Sequence, residues 1–188
     1  MDASVELVRH LTQSTVNLHV TVPREHPSTR ILGNERMGSG VVVDASGLIL
    51  TVNYVVMGAQ SIDVAFLKGR RAKGEIVAQD FDVGLALVRV KRQGLTAARF
   101  PSEATLERGD SVVALASTGT HERRVAGGVV TYLGEFEAYW EYLLDRGIVT
   151  SAPNPGFGGG GLFTLRGDLV GMISLSLNEI ARDRKSVV

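Results

Sequence analysis

The sequence predicts an all-β protein, a barrel or a sandwich of antiparallel strands, with a short N-terminal helix. Two observations support this fold class. Short apolar runs rich in β-branched residues recur at intervals of roughly ten residues, and Gly, Asp or Asn separates them. In addition, no low-complexity linker and no repeated unit of ~20 to 50 residues divides the chain. We therefore expect a single domain over residues 1–188.

The elements follow in chain order. Apolar residues stand at helical spacing near the N-terminus, at Val5, Leu7, Val8 and Leu11. Residues 16–22 then have the composition of a strand, and residues 23–36, with two prolines, predict a loop. The remaining predicted strands are 40–44 (GVVVD), 47–53 (GLILTVN), 61–67 (SIDVAFL), 73–80 (KGEIVAQD), 85–90 (LALVRV), 111–117 (SVVALAS), 125–134 (VAGGVVTYLG), 161–165 (GLFTL) and 168–177 (DLVGMISLSL).

One segment, 136–144 (FEAYWEYLL), departs from the strand pattern. Its apolar residues are spaced like one face of a helix: Phe136, Tyr139, Trp140, Leu143 and Leu144. Aromatic side chains are favoured at protein interfaces. Phe136, Tyr139, Trp140 and Tyr142 are therefore candidates for contact with a peptide or protein partner, and the alternative is packing against their own domain.

Composition excludes several classes of function. Acidic and basic residues number 20 each, so no net charge favours nucleic acid. The absence of cysteine excludes disulfides, Cys-ligated zinc and thiol catalysis. No apolar run approaches the ~20 residues that span a bilayer, and no signal peptide opens the sequence. The sequence as it stands indicates a cytoplasmic protein, or a periplasmic one if an export signal has been removed.

Five stretches occur in an order and at separations typical of one family. They are GSGVVVDASGLILTVNYVV (38–56), QDFDVGLALVRV (79–90), RGDSVVALAS (108–117), RVAGGVVTYLG (124–134) and NPGFGGGGLFTLRGDLVGMIS (154–174). Together they resemble the protease domain of the bacterial HtrA (DegP-like) family. The resemblance implies a trypsin-like fold of two six-stranded antiparallel β-barrels, the first over about residues 1–95 and the second over about 96–188.

The residues at the family's catalytic positions differ from a serine protease triad. The resemblance assigns the histidine to Tyr54, the aspartate to Gly84 and the serine to Gly158, and the proline that closes the serine loop to Gly161. Glycine offers neither a nucleophile nor a carboxylate, and the phenol of tyrosine titrates near ~10. We therefore predict no enzymatic activity and no cofactor. The chain is expected to be an inactive HtrA-like protein that works as a binding, scaffolding or regulatory module.

The former oxyanion loop comprises Gly156, Phe157 and Gly158. Five of the six residues from Gly156 to Gly161 are glycine, which loses the most backbone entropy on ordering. This composition predicts a mobile or reshaped loop. An alternative is a nest of free N–H groups that binds an anion.

Two other functions stay open at the level of sequence. A relocated serine protease site would use Ser151 with His121, and Asp82 lies two residues before the lost aspartate position. A metal site would pair His19 with His121, although the histidines lack the spacing of recognised motifs.

The C-terminal part predicts an interaction with another chain. Residues 178–188 are too few for the family's final loop, strand and helix, and no PDZ domain follows. The second barrel is therefore expected to be incomplete, with a strand edge open to another polypeptide. The family commonly forms trimers through N-terminal segments. This implies a homo-oligomer, or a mixed assembly with an active HtrA-type protease, through residues around 4–22.

Overall fold

The computed structural model describes residues 3–103, 106–138 and 142–174. Three helices and a 3-10 turn at Leu67–Gly69 accompany the strands: α1 (Ala3–Ser14), α2 (Thr29–Leu32) and α3 (Asn53–Val56). Six strands form a first sheet: β1 (Thr15–Thr21), β2 (Glu35–Asp44), β3 (Leu48–Val52), β4 (Ser61–Ala65), β5 (Arg71–Asp80) and β6 (Leu85–Val90). Five form a second: β7 (Ser111–Ser117), β8 (Arg123–Ala138), β9 (Tyr142–Thr150), β10 (Gly161–Thr164) and β11 (Leu169–Met172). Within these residues, no helix combines the length and apolarity needed to cross a membrane.

The first sheet closes into a barrel in the order β1-β2-β3-β6-β5-β4, and every pairing is antiparallel. Alternation along each strand builds its core: Val16, Leu18 and Val20 of β1 are fully buried, while His19 between them is exposed. Fifteen buried apolar side chains form this cluster. Because closure leaves no strand edge, the first barrel is complete in itself.

Within residues 106–138 and 142–174, the second sheet remains open. Its order is β11-β10-β7-β8-β9, which is the order of the first barrel without the sixth strand. In the first barrel β6 lies between β3 and β5, so the equivalent gap in the second sheet lies between β9 and β11. Among the described residues, only four buried apolar side chains form its inner cluster. The second sheet is thus a curled half-barrel with an accessible apolar face.

A third cluster joins the two sheets. Leu11 of α1 and Val41 of β2 pack with Leu115, Phe163 and Leu169 of the second sheet, and all are buried. Burial of each such side chain stabilises the fold by about 1.5 to 3 kcal/mol before entropy is counted. The helix that opens the chain therefore helps to fix the relation of the two sheets.

Arg123, at the start of β8, ties the second sheet to the first. Its guanidinium donates from Nε to the Thr15 carbonyl at 2.9 Å and from Nη2 to the Ala65 carbonyl at 2.9 Å. Burial lowers the pKa of Arg123 to about 10, so the group is still protonated at neutral pH. Two carbonyl groups of the first sheet thus hold a half-buried cation that belongs to the second sheet.

The predicted all-β double-barrel fold and the N-terminal helix are confirmed. The helix predicted for 136–144 is wrong, because β8 extends to Ala138 and β9 begins at Tyr142. Phe136 pairs with Leu144 across these two strands. Cross-strand pairs of aromatic and aliphatic residues stabilise a hairpin, and this pairing overrides the helical spacing. Strand β9 was absent from the strands predicted by sequence.

Candidate functional site

Tyr54 lies at the junction of the two sheets, on the one-turn helix α3. The Asn53 N–H donates to the Gly84 carbonyl at 2.8 Å, which brings the β5–β6 turn against this helix. Arg36, only 6% exposed, donates from Nη1 to the carbonyls of Tyr54 (2.8 Å) and Met57 (3.0 Å). Burial lowers the pKa of the Arg36 guanidinium. These bonds fix the backbone that carries the Tyr54 side chain.

The Tyr54 phenol fills the space beside Gly158. A Cβ atom built on Gly158 would overlap the Tyr54 hydroxyl oxygen and would lie 3.0 Å from Cζ. The same hydroxyl donates to the Ser174 carbonyl at 3.1 Å. A large side chain at position 54 and the absence of one at position 158 are therefore complementary in volume. A serine side chain at 158 and this phenol position exclude each other.

Gly84 lies next to the same helix in a conformation that suits glycine. Its φ is +71°, in the left-handed region, where a side chain adds strain. Its carbonyl is occupied by the Asn53 N–H. The fold thus brings Tyr54, Gly84 and Gly158 together at one point between the sheets.

Hydrogen bonds anchor the glycine loop along its length. The N–H groups of Gly156, Phe157 and Gly159 donate, respectively, to Asn154 Oδ1 (3.1 Å), the Ser117 carbonyl (2.9 Å) and the Ile173 carbonyl (2.8 Å). The sequence pattern suggested a nest of free N–H groups at this loop. These three groups are already bonded within the protein, so they do not form such a nest.

A buried polar network lies beneath the loop. The Ser39 hydroxyl donates to the Phe157 carbonyl at 2.8 Å, and the Ser39 N–H donates to the Gly158 carbonyl at 2.8 Å. Ser117 Oγ lies 3.0 Å from Ser39 Oγ and accepts from Asn17 Nδ2 at 3.0 Å. Ser39, Ser117 and Asn17 are each at most 1% exposed. Sequence reasoning missed these residues, because a serine or an asparagine in a strand gives no local sign that it is buried.

A cavity of about 1070 Å³ opens between the apolar face of the second sheet and the first barrel. Aliphatic and aromatic side chains form most of its wall, among them Leu106, Leu133, Phe136, Leu144, Ile148 and Val170. Gly84 and Ser174 also line it, so the cavity reaches the Tyr54 region. Of the candidate partner-binding residues, Phe136 lies in this wall and Tyr142 begins β9. Tyr139 and Trp140 lie outside the described residues.

The alternative residues for a relocated protease site are not gathered at one place. Ser151 lines the cavity, and its Oγ accepts from the Val129 N–H at 3.0 Å. His121 lies exposed in the turn before β8. Arg123, two residues later, begins β8 and is six residues from Val129 along the strand, which corresponds to roughly 20 Å. Asp82 is exposed in the β5–β6 turn, and its N–H donates to the Asp80 side chain at 3.0 Å.

The two candidate metal ligands have different surroundings. His19 Nε2 lies 2.8 Å from Glu35 Oε2 on the outer face of the first barrel. His121 is exposed, and its neighbour Thr120 lines a shallow depression that His19 shares. Across the described part of the chain, no group of three or more His, Asp or Glu side chains is arranged to hold a metal ion.

Comparison with known proteins identifies the family of this fold. Residues 38–172 match the family described as the trypsin-like peptidase domain. The chain is 34% identical over 139 residues to the "Probable periplasmic serine protease do/HhoA-like" of Haemophilus influenzae. The chain belongs to the HtrA-type, trypsin-like peptidase family. It is also 32% identical over 138 residues to "Periplasmic serine endoprotease DegP" of Salmonella typhimurium. In both cases the match covers 72% of this chain.

A solved HtrA-type protease with a bound tripeptide has the same fold as this HtrA-type chain. The TM-score is 0.77 at 26% sequence identity, and the match covers 90% of this chain and 53% of that one. The chain spans about a third of the length of the curated relatives it matches, 30% and 29% of the two named above. The similarity between this chain and these relatives is thus limited to the barrel domain that they share.

Proposed function

We propose that this chain is a catalytically inactive HtrA-type domain that works as a peptide- or protein-binding, scaffolding or regulatory module. The observation that carries the proposal is the Tyr54 phenol in the space a serine side chain at Gly158 would need. The relatives are named as serine proteases, so their activity is the alternative against which the proposal is tested.

The chemistry of the three positions supports inactivity. Acyl transfer by this fold needs a hydroxyl nucleophile, an imidazole base and a carboxylate that orients the base. A phenol with a pKa near ~10 is a poor proton acceptor at neutral pH. Loss of an equivalent set of groups lowers kcat by a factor on the order of 10⁶.

We expect no turnover of casein or of a fluorogenic peptide library by the full chain, with an active HtrA protease assayed in parallel. Ser151→Ala serves as the matched variant, because Ser151 lines the cavity and is the candidate nucleophile of a relocated site. Turnover by the unmodified chain that disappears in Ser151→Ala would overturn the proposal in favour of a relocated site.

We further expect that Tyr54→His, Gly84→Asp and Gly158→Ser together reach at most about a hundredth of the turnover of the active control, since misplacing one oxyanion donor alone costs a factor of about 10² to 10³. An aspartate at 84 would be strained at φ +71°. The triple variant also keeps Gly161, where the family has a proline that closes the serine loop. A Cβ at this position would lie 2.5 Å from the Phe163 ring, so the loop packs here in a way that has no room for that proline.

The restoration experiment uses kcat/KM on the same peptides. The variant is first compared with the unmodified chain in thermal unfolding, so that a loss of fold is separated from a misplaced site. Turnover equal to that of the active control would contradict this prediction and would indicate that the loop is already arranged for catalysis.

Binding of a partner is the positive part of the proposal. The cavity offers an apolar wall, and among the described strands of the second sheet β9 and β11 are the outer ones. An apolar wall and an outer strand are the features used when an extended peptide adds to a sheet. Self-association as a trimer, or assembly with an active HtrA-type protease through residues around 4–22, stays a prediction. Sedimentation at high protein concentration tests it.

A further inference from the structure

One end of the first barrel carries a dense group of basic side chains. The connection from β4 to β5 and the exit of β6 lie side by side there, since Gly74 near the start of β5 pairs with Val90, the last residue of β6. We call this group the basic face, and it comprises Lys68, Arg70, Arg71, Lys73, Arg89, Lys91 and Arg92. All of them are exposed except Arg92, which is half-buried.

Strand alternation directs these side chains to solvent. Arg89 of β6 is exposed, whereas Val88 and Val90 on either side of it are buried in the barrel core. Arg71 and Lys73 of β5 are likewise exposed. Because residues on the same face of a strand lie roughly 7 Å apart, the cations form regular rows on the barrel surface.

Carboxylates neutralise only part of the basic face. Lys73 Nζ lies 2.8 Å from Asp63 Oδ1, and Glu75 pairs with Arg89 in the register of β5 and β6. Asp44 lies in the same cross-strand row as Arg89, two strands away. Seven cations and these three carboxylates leave a local charge of +4, although the whole chain has no net charge.

The remaining cations of the face are not neutralised. Within the described ranges, four exposed members form no salt bridge: Lys68, Arg70, Arg71 and Lys91. Arg92 is held in place without a carboxylate, because its guanidinium lies 5.6 Å from the centroid of the Phe66 ring and its Nη1 donates to the Arg71 carbonyl at 3.5 Å. These cations are therefore available to an external anion.

The two turns at this end of the barrel project into solvent. Lys68 has a φ of +63° and Gly69 a φ of +75°, which makes the turn before β5 a tight left-handed one. No atom lies within 4 Å of a Cβ added to Gly69, or of one added to Gly94 in the segment after β6. The basic side chains thus stand on protruding turns and not in a groove.

The surroundings of the basic face decide between possible anionic partners. Strands β4, β5 and β6 are each paired on both sides, so an acidic peptide finds no free edge on them. Phe66 is only 5% exposed and is not available to stack on a nucleic acid base. A depression of about 280 Å³ touches the face at Asp63 and Arg71, and it is smaller than the usual ~300 to 1000 Å³ of small-molecule sites. An anionic bilayer needs only a projecting cluster of cations.

The number of cations on the basic face also favours a bilayer. Each Lys or Arg near an anionic membrane surface strengthens binding by a factor of about five, whereas an exposed pair with one carboxylate of a protein gives a factor of about one to five. A bilayer engages all projecting cations at once. The four uncompensated charges therefore strengthen binding on the order of several hundredfold, which gives reversible attachment.

We propose that the basic face docks the chain onto the surface of a bilayer rich in anionic phospholipid. The turn at Leu67–Gly69 and the segment after β6 lie against the lipid headgroups. The β1–β2 loop lies at the other end of the barrel, because Thr21 pairs with Ser61 at the start of β4, whereas Ala65 ends β4. This attachment does not depend on whether the chain is catalytically active.

The test is co-sedimentation of the full chain with lipid vesicles. Vesicles of phosphatidylcholine with about one third phosphatidylglycerol are expected to bind the chain at least about a hundredfold more tightly than vesicles of phosphatidylcholine alone. Raising the salt concentration from about 0.1 M to about 0.5 M is expected to weaken binding at least about tenfold, because salt screens exposed charges. Equal binding to the two kinds of vesicle, or none to either, overturns the proposal.

Paired substitutions test the location of the contact. Lys68→Gln with Arg70→Gln is expected to weaken binding at least about twentyfold, as two cations at about fivefold each predict. Arg24→Gln with Arg30→Gln is the matched control, since it changes the net charge equally at two exposed residues of the β1–β2 loop. The control is expected to stay within about twofold of the unmodified chain. Equal losses in the two variants would show that net charge alone acts, and would overturn the proposal.

A charge-conserving variant separates charge from folding. Lys68→Arg with Arg70→Lys keeps both cations and is expected to bind the vesicles within about twofold of the unmodified chain. Thermal unfolding of every variant is compared with that of the unmodified chain. A loss of binding in the charge-conserving variant with an unchanged unfolding temperature would overturn a contact that depends on charge.

A single dye reports the orientation on the vesicle, because the chain has no cysteine of its own. Gln93→Cys places the dye on the exposed segment after β6, and Ile31→Cys places it in the β1–β2 loop, where Ile31 is 90% exposed. The emission of an environment-sensitive dye is expected to shift to shorter wavelength at position 93 and to stay unchanged at position 31. The reverse pattern overturns the proposed orientation.

An acidic polypeptide is the other class of partner that the test separates. A labelled oligoglutamate peptide is titrated with the chain by fluorescence anisotropy. Binding of this peptide that disappears in Lys68→Gln with Arg70→Gln, without any vesicle binding, would assign the basic face to a polypeptide and overturn the proposal. Cleavage of casein would overturn only the proposed inactivity and would leave the membrane contact standing.

Discussion

Gly159→Ala is expected to destabilise the chain by about 3 to 5 kcal/mol, which is the sum of left-handed strain and overpacking. The φ of Gly159 is +91°, and an added Cβ would overlap the Ser39 carbonyl oxygen and lie 2.5 Å from Thr51 Oγ1. Ser39 belongs to the buried polar network beneath the glycine loop, and the buried Thr51 donates from Oγ1 to the Ser39 carbonyl at 2.7 Å, so neither neighbour has room to move. Thermal unfolding is expected to occur about 10 °C lower, at the usual scale for a chain of this size.

Gly109→Ala is the matched control for this prediction. Gly109 has a similar φ of +97°, but nothing lies within 4 Å of an added Cβ. Its substitution is therefore expected to cost only the backbone strain, about 1 to 2 kcal/mol. Equal losses of stability in the two variants would show that Ser39 and Thr51 do not confine the loop. Urea unfolding gives the free energies independently of the thermal midpoint.

Gly158→Ser is expected to cost about 2 kcal/mol in the unmodified chain and less than about 1 kcal/mol in a Tyr54→Ala background, since overpacking disappears with the phenol. The two side chains compete for one space, because a Cβ at 158 overlaps the Tyr54 hydroxyl oxygen. A double-mutant cycle should therefore give a favourable coupling of at least about 1 kcal/mol.

The cycle is measured by urea unfolding of the four proteins. Gly127→Ser, in both backgrounds, is the control, because Gly127 has no atom within 4 Å of an added Cβ. Its cost should be the same with and without the Tyr54 side chain. A coupling energy near zero between positions 54 and 158 would show that the Tyr54 side chain moves out of the space beside Gly158 without cost. The space at Gly158 would then be open to a serine side chain.

Sequence reasoning located most strands because alternation is a local property. Strands β6 and β7 were predicted at 85–90 and 111–117, the bounds they have in the structure. For the segment 136–144 the prediction of a helix was wrong, since the spacing of Phe136 and Leu144 fits both a helix face and a cross-strand pair. Long-range pairing decided between them, and no local signal contained that information.

For the candidate site, motif order placed Tyr54, Gly84 and Gly158 at related positions, and the fold brings them together. The sequence held no sign that the phenol fills the space at Gly158. From the sequence alone, Ser151 and His121 could be partners in a relocated site. In the structure, the pairing of β8 with β7 and β9 places Ser151 beside the middle of β8 and His121 beyond its first residue. The sequence also gave no indication that Ser39 and Ser117 form a buried network, because the two serines lie on different sheets and 78 residues apart in the chain.

The sequence by itself determined the chemistry available at each position and the alternation that makes strands, because both depend on residues close together in the chain. It therefore determined the β architecture and the absence of a hydroxyl, imidazole and carboxylate at three motif positions. Only the tertiary structure decided that Tyr54 fills the space beside Gly158 and that the described strands of the second sheet form a curled half-barrel. Both features arise from packing between strands distant in sequence, where volume and edge pairing, not local preference, set the arrangement.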